Sequence, residues 1–172
     1  LINVYLHNKD IFDITEADTL VLPVDGTAPK LIGGIAHKFL KRIEVETLEE
    51  IFAPPLEYPF TGYCPWTRIE GCFPQTHFKY VCALGTLSHV PGADHAAVVR
   101  SALTDMLVGA ETGGVGTKLA IPLLTGGGRL PPLNALHTML REIEGYSALL
   151  DLEVHIAERN KERYEVVKTL MR

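Results

Sequence analysis

Two short stretches carry the residue types of an anion site, Leu31-Ile32-Gly33-Gly34-Ile35-Ala36 and Thr125-Gly126-Gly127-Gly128-Arg129. Each follows an apolar run and leads into a helical pattern. The unpaired backbone N–H groups at a helix start, and the positive end of its dipole, favour a phosphate there. A glycine lets that phosphate approach the main chain. In the second stretch three glycines in succession carry an entropic cost that a plain connector would avoid. Their N–H groups can form a concave nest, with the Thr125 hydroxyl and the Arg129 guanidinium as further donors. A turn that needs positive φ also accounts for Gly33-Gly34, and a flexible connector before Pro131-Pro132 also accounts for the glycine triplet. Neither stretch is the dinucleotide fingerprint or a Walker sequence, since Gly33-Gly34-Ile35-Ala36-His37-Lys38 lacks G-x-G-x-x-G.

Two carboxylates stand where they could join such a site. Asp10 follows the first apolar strand and Asp25 the second, so both can share the sheet edge that holds the glycine loops, where a carboxylate accepts from an exocyclic amine or a ribose hydroxyl. Solvated turns and caps also use acidic residues, and Asp13 and Asp18 compete with Asp10 from the same connector. Cys64, Cys72, His77 and Cys82 have no zinc-like spacing, since paired-cysteine sites use C-x2-4-C, so no metal is expected. His95, His137 and His155 fall within expected elements, where packing or surface roles dominate. Trp66 either covers a ligand or fills the core under a long loop, the second being the commoner role.

The elements that must position these residues follow from periodicity. Apolar runs predict strands over 2–6, 19–24, 78–84, 118–124 and 152–157. Ile35, Phe39 and Ile43 lie four apart and predict a helix from Gly34 to about residue 43. An apolar stripe from Ala97 to Ala110 predicts a second helix over 94–111, opened after Pro91-Gly92 and stopped at Gly113-Gly114. Two more helices are expected over 131–144 and 161–171, while residues 53–75, interrupted by five prolines, read as a loop or a bent edge strand. Strands alternating with helices build a central sheet covered on both sides, with ligands beyond the carboxyl ends of its strands.

Composition narrows the function classes. A chain of 172 residues with 47% hydrophobic residues fits one domain spanning 1–172. A formal charge of −5 disfavours nucleic-acid binding through a broad basic surface. Three cysteines suggest no disulfide scaffold, no stretch reaches the roughly 18 apolar residues of a membrane helix, and the first residues lack a signal layout. The expectation is a cytoplasmic protein without a membrane partner; the oligomeric state is open.

Taken together, Asp10-Ile11, Val21-Leu22-Pro23-Val24-Asp25-Gly26, Leu31 to Ala36, and Ala120-Ile121-Pro122-Leu123-Leu124-Thr125-Gly126-Gly127-Gly128 resemble a macrodomain. The resemblance runs nearly end to end, through the strand Glu153-Val154-His155-Ile156 and its closing helix. It implies a three-layer α/β/α sandwich with a mixed, mostly parallel sheet that binds ADP-ribose or an ADP-ribosylated molecule without a cofactor. Some members hydrolyse ADP-ribosyl esters or deacetylate O-acetyl-ADP-ribose. By resemblance, Asp10 accepts from the adenine amino group with Ile11 beside the ring, Gly33, Gly34 and Ile35 wrap one side of the diphosphate and distal ribose, and Thr125, Gly126, Gly127 and Gly128 close over the other. The position often held by an aromatic falls on Gly128 or Arg129. The chain departs from the family's Asn-Ala-Ala-Asn stretch, having Leu22-Pro23-Val24-Asp25 or, shifted by one, Pro23-Val24-Asp25-Gly26. In the first register Asp25 stands at the distal ribose, where it could orient a water or act as general base. Three readings follow: a small-molecule binding domain or hydrolase for ADP-ribose or a derivative, a non-catalytic reader, and a regulatory or assembly domain with a degenerate pocket.

Overall fold

The computed structural model describes residues 1–29, 32–113 and 116–171. Leu31 of the first loop and Gly114 of the expected helix stop lie outside the described residues. Six strands, β1 (Ile2–His7), β2 (Thr19–Asp25), β3 (Trp66–Arg68), β4 (Tyr80–Leu87), β5 (Lys118–Pro122) and β6 (Leu152–Ala157), form one sheet in the order β1-β6-β5-β2-β4-β3. All neighbours are parallel except β3, which runs antiparallel to β4 at the edge. The helices are α1 (Gly34–Ile43), α2 (His95–Glu111), α3 (Pro132–Tyr146) and α4 (Lys161–Val167).

Side-chain alternation along the buried strands divides the core into two layers. Leu20, Leu22 and Val24 of β2 and Val81 and Ala83 of β4 pack with Phe39, Leu40 and Ile43 of α1. Val21, Cys82, Leu84, Ile121 and Ile156 face the other way, onto Leu103, Met106 and Leu107 of α2 and Leu136 and Met139 of α3. The result is the expected three-layer sandwich. Residues 60–68 run beside β4 as an extended segment, with Gly62 N–H donating to Gly85, Gly85 to Tyr63 and Ala83 to Pro65 at 2.8–3.0 Å. Trp66 belongs to this edge; its indole packs against Gly109 of α2, so its role is core packing. The closing helix is shorter than expected, because after Val167 the chain tightens into a 3-10 turn over Lys168–Leu170.

Asp18 closes the amino end of the sheet. Its N–H donates to Lys118 O, its carbonyl accepts from Lys79 N at 2.8 Å, and its carboxylate accepts from Thr19 Oγ1 at 2.9 Å. It thereby joins β2 to β4 and β5 at the edge opposite Asp10 and Asp25.

The face of β1 and β6 turned away from α3 is polar. Tyr5, His7 and His155 stack in a row there, and His7 Nε2 lies 2.9 Å from His155 Nδ1. Burial lowers the pKa of both histidines, which keeps the pair neutral at pH 7.

Gly33 and Gly34 are small for different reasons, and neither has positive φ. A Cβ at Gly33 would lie 2.8 Å from the Pro23 carbonyl oxygen, whereas one at Gly34 would meet nothing within 4 Å. Gly33→Ala therefore overpacks the junction of β2 and α1 and should cost about 1–3 kcal/mol. Gly34→Ala should leave stability unchanged or raise it by about 0.4–1 kcal/mol. Urea denaturation midpoints of the two variants check this contrast.

Candidate functional site

Because β2, β4, β5 and β6 are parallel, their carboxyl ends open on one edge of the sheet, and a cleft runs along it. Its wider part has a volume of about 480 Å³ and lies against Asp10, Ile11, Lys38, Glu158, Arg159 and Asn160. Its narrower part, about 190 Å³, lies between the two glycine loops, against Gly33, Thr86, Leu87, Leu124, Gly126 and Gly127. Gly34, Ile35, Pro122, Leu123 and Thr125 border both parts, so the two are continuous.

One wall is the start of α1. Gly33 caps the helix in extended conformation without a side-chain hydrogen bond, and the first acceptor contact of the turn runs from His37 N to Gly33 O at 3.0 Å. The N–H groups of the first turn thus lie at the cleft, where Gly34 offers no Cβ to hold a ligand away. The opposite wall is the triplet. Gly126, Gly127 and Gly128 have φ of 62°, 74° and 87°, three left-handed residues in succession that an L side chain would oppose by about 1–2 kcal/mol each. The turn closes on itself, since Leu130 N donates to Thr125 O at 2.8 Å and Gly128 N to Thr125 Oγ1 at 3.1 Å. Among the described residues the N–H groups of Gly126 and Gly127 have no acceptor. Leu87 sits between the walls: Cβ atoms at Gly33 and Gly127 would lie 3.6 and 3.2 Å from its two methyl carbons.

Asp10, Ile11, Gly33, Gly34, Ile35, Thr125, Gly126 and Gly127 all border this one cleft. Asp10 Oδ1 accepts from Phe12 N at 3.1 Å and caps the one-turn helix Ile11–Asp13, while Oδ2 lies 3.8 Å from Arg159 Nη1. Three expected site residues are placed differently. Gly128 borders neither part, and its N–H is consumed by Thr125. Arg129 turns back on its own loop, donating from Nη1 to Gly126 O at 3.1 Å. Asp25 borders neither part of the cleft: its carboxylate side chain is 1% exposed, and the register shift beside it, where Val24 pairs with Gly85 and Asp25 with Leu87, leaves the extra residue, Thr86, on β4.

That carboxylate is fully engaged. Asp25 Oδ1 accepts from Thr27 N at 2.8 Å and from the Thr27 hydroxyl, and Oδ2 faces His89 Nδ1 in a short contact. Burial alone would push its pKa up, but the bonds from Thr27 and then His89 outweigh it and hold the acid below its ordinary value. The His89 ring itself is half exposed.

Four cations at the wide part, Lys9, Lys38, Arg159 and Arg163, stand out only in the structure. The signal available for Arg159 and Arg163 was topological, since residues following β6 must emerge at the carboxyl edge. Glu158 beside them is buried, which raises its pKa, and Arg163 Nε approaches it at 2.5 Å. The cysteines and His77 do not gather: Cys64 and Cys82 are buried in the α2 layer, Cys72 is exposed, and His77 Nε2 lies 2.9 Å from Ile14 O.

No known family profile and no curated protein sequence matches the chain. Solved structures do. The Trypanosoma brucei macrodomain superposes with a TM-score of 0.73 at 16% identity, over 99% of this chain and 67% of that one. The macrodomain of Mycobacterium tuberculosis DarG gives 0.66 at 18% identity, over 91% and 98%. The Trypanosoma brucei macrodomain in complex with ADP-ribose gives 0.64 at 15% identity, over 99% and 69%. With the same sheet covered by helices on both sides across nearly its whole length, and with so little sequence in common, this chain has the macrodomain fold in a divergent form.

Proposed function

We propose that the cleft binds ADP-ribose or an ADP-ribosylated molecule. The observation that carries this reading is the pairing of two main-chain donor walls, the first turn of α1 and the Gly126-Gly127 turn, across one continuous groove. Such walls suit a diphosphate, because backbone N–H groups and a helix dipole neutralise it without a side chain. The wide part then takes the adenosine, with Asp10 Oδ2 accepting from the adenine amino group and Ile11 against the ring. Arg159 and Lys38 add attraction for the phosphates. The distal ribose falls in the narrow part beside Leu87. The fold neighbour solved with ADP-ribose supports this assignment by analogy.

A second reading is hydrolysis, for which the Asp25–His89 pair offers an oriented imidazole near the cleft residue Leu87 in sequence. Asp25, buried and ionised, holds Nδ1 of an exposed imidazole that stands two residues beyond the cleft residue Leu87. In this reading His89, oriented by Asp25, takes the general-base role that one of the two registers would give to Asp25 itself. His89 Nε2 takes a proton from a water whose oxygen adds to the ester carbonyl of an acylated ribose or of an ADP-ribosylated carboxylate. The proton passes to the ribose oxygen as the C–O bond breaks, releasing a carboxylic acid and a free ribose hydroxyl.

Two experiments test these readings. Calorimetry with ADP-ribose should give micromolar binding, about −8 kcal/mol. Gly34→Glu, which places a carboxylate at the open start of α1, should abolish that heat while leaving the melting temperature near wild type, and Asp10→Asn should weaken binding about tenfold. Unchanged affinity in Gly34→Glu removes the diphosphate assignment. For turnover, release of ADP-ribose from a mono-ADP-ribosylated protein should fall at least a hundredfold in His89→Asn with KM little changed. Absence of turnover in the wild type leaves the reader alone.

A further inference from the structure

We propose that His7, Glu16 and His155 form a site for a divalent first-row metal ion, Zn2+ being the best fit, separate from the ligand cleft. His7 ends β1, His155 lies in the neighbouring strand β6, and Glu16 lies in the connector that leads to β2. Their ligand atoms all lie within 4.8 Å of one another. Two imidazoles and one carboxylate are a common donor set for zinc, with water as the fourth ligand.

The surroundings of His155 hold its ring in place. Its side chain is 4% exposed, and among the described residues its Nε2 has no hydrogen-bond partner. Tyr5 stacks on one side of the ring with centroids 4.9 Å apart, which fixes the ring plane. Nδ1 faces His7 Nε2 at 2.9 Å, and Glu153 Oε1 stands behind the ring, 3.8 Å from Nε2. When Nδ1 binds a metal, Nε2 must carry the proton, and Glu153 Oε1, at 3.8 Å, has to close to hydrogen-bond distance to orient the ring as carboxylates behind metal-bound histidines do.

The change needed to admit the ion is small. Two nitrogens on one tetrahedral zinc are about 3.3 Å apart, so His7 must withdraw by a few tenths of an ångström. His7 is half-buried at the end of its strand and has that freedom. The N–H now between the two rings moves to the far nitrogen of its own ring, so both imidazoles ligate as neutral groups with no net charge change. Glu16 supplies the one anionic donor.

The site also has a position that matters. His7 and Glu16 bracket residues 8–15, the segment that carries Asp10 and Ile11 to the cleft, and His7 O accepts from Glu158 N at 2.9 Å beneath the same wall. An ion bridging His7 to Glu16 closes that segment into a loop tied to β6. Bound metal therefore stabilises the wall of the groove whatever the groove holds.

Calorimetric titration of the chelator-treated full chain with Zn2+ tests the site without reference to any activity. The expected result is one ion per chain with micromolar or tighter affinity, and a rise of several degrees in melting temperature with excess zinc. Affinity should fall at least tenfold in His7→Gln and in Glu16→Gln, both at surface-accessible positions, and stay unchanged in Cys72→Ser. Co2+ should give visible bands of tetrahedral nitrogen and oxygen ligation without the near-ultraviolet absorption of a thiolate. No binding by the wild type overturns the proposal, as does binding that survives both His7→Gln and Glu16→Gln.

Discussion

Everything in this molecule depends on strands that run the same way. A parallel sheet cannot be closed by tight hairpins, so each strand must be followed by a crossover that returns along the outside. Every such crossover leaves the sheet at the same edge. Five of the six strands obey this, and in consequence Asp10, Asp25, Leu87, Thr125 and Glu158, distant in sequence, emerge side by side. The groove is the gap left where chains turn away from β2 and β5 in opposite directions, the switch point at which α/β sheets collect ligands.

Much of this was legible in the sequence because the core strands are apolar on both faces and the helices carry clear stripes. The five parallel strands, the start of α1 at Gly34 and the span of α2 all follow from period and punctuation. The extended edge at residues 60–68 was not legible, because its bonds to Gly85 and Ala83 are made across a proline-rich stretch with no alternation of its own. The helix over 161–171 was overextended for a related reason, since a 3-10 turn keeps a helical pattern of side chains.

Within the groove the legible part was again the backbone. Glycine types report where main chain must be approached or turned, and both loops do line one cleft. What the sequence could not carry was the direction of individual side chains. Asp25 is buried against Thr27 and His89, and one hydrogen bond folds Arg129 onto its own loop. His89 had no local motif, and its pairing with Asp25 is a contact across 64 positions. The histidine row on β1 and β6 was equally hidden, since its members are 148 residues apart and become neighbours only through strand order.

Leu87 gives the groove a mechanical property. Its two methyl groups stand against opposite walls, one toward Gly33 and the other toward Gly127. Neither loop can slide inward without pressing on this aliphatic spacer, so the gauge of the narrow end is set by the length of one leucine and not by loop composition. Shortening or lengthening that spacer changes the width of the narrow end, the way a shim sets the jaws of a calliper, while the donors on either side stay as they are.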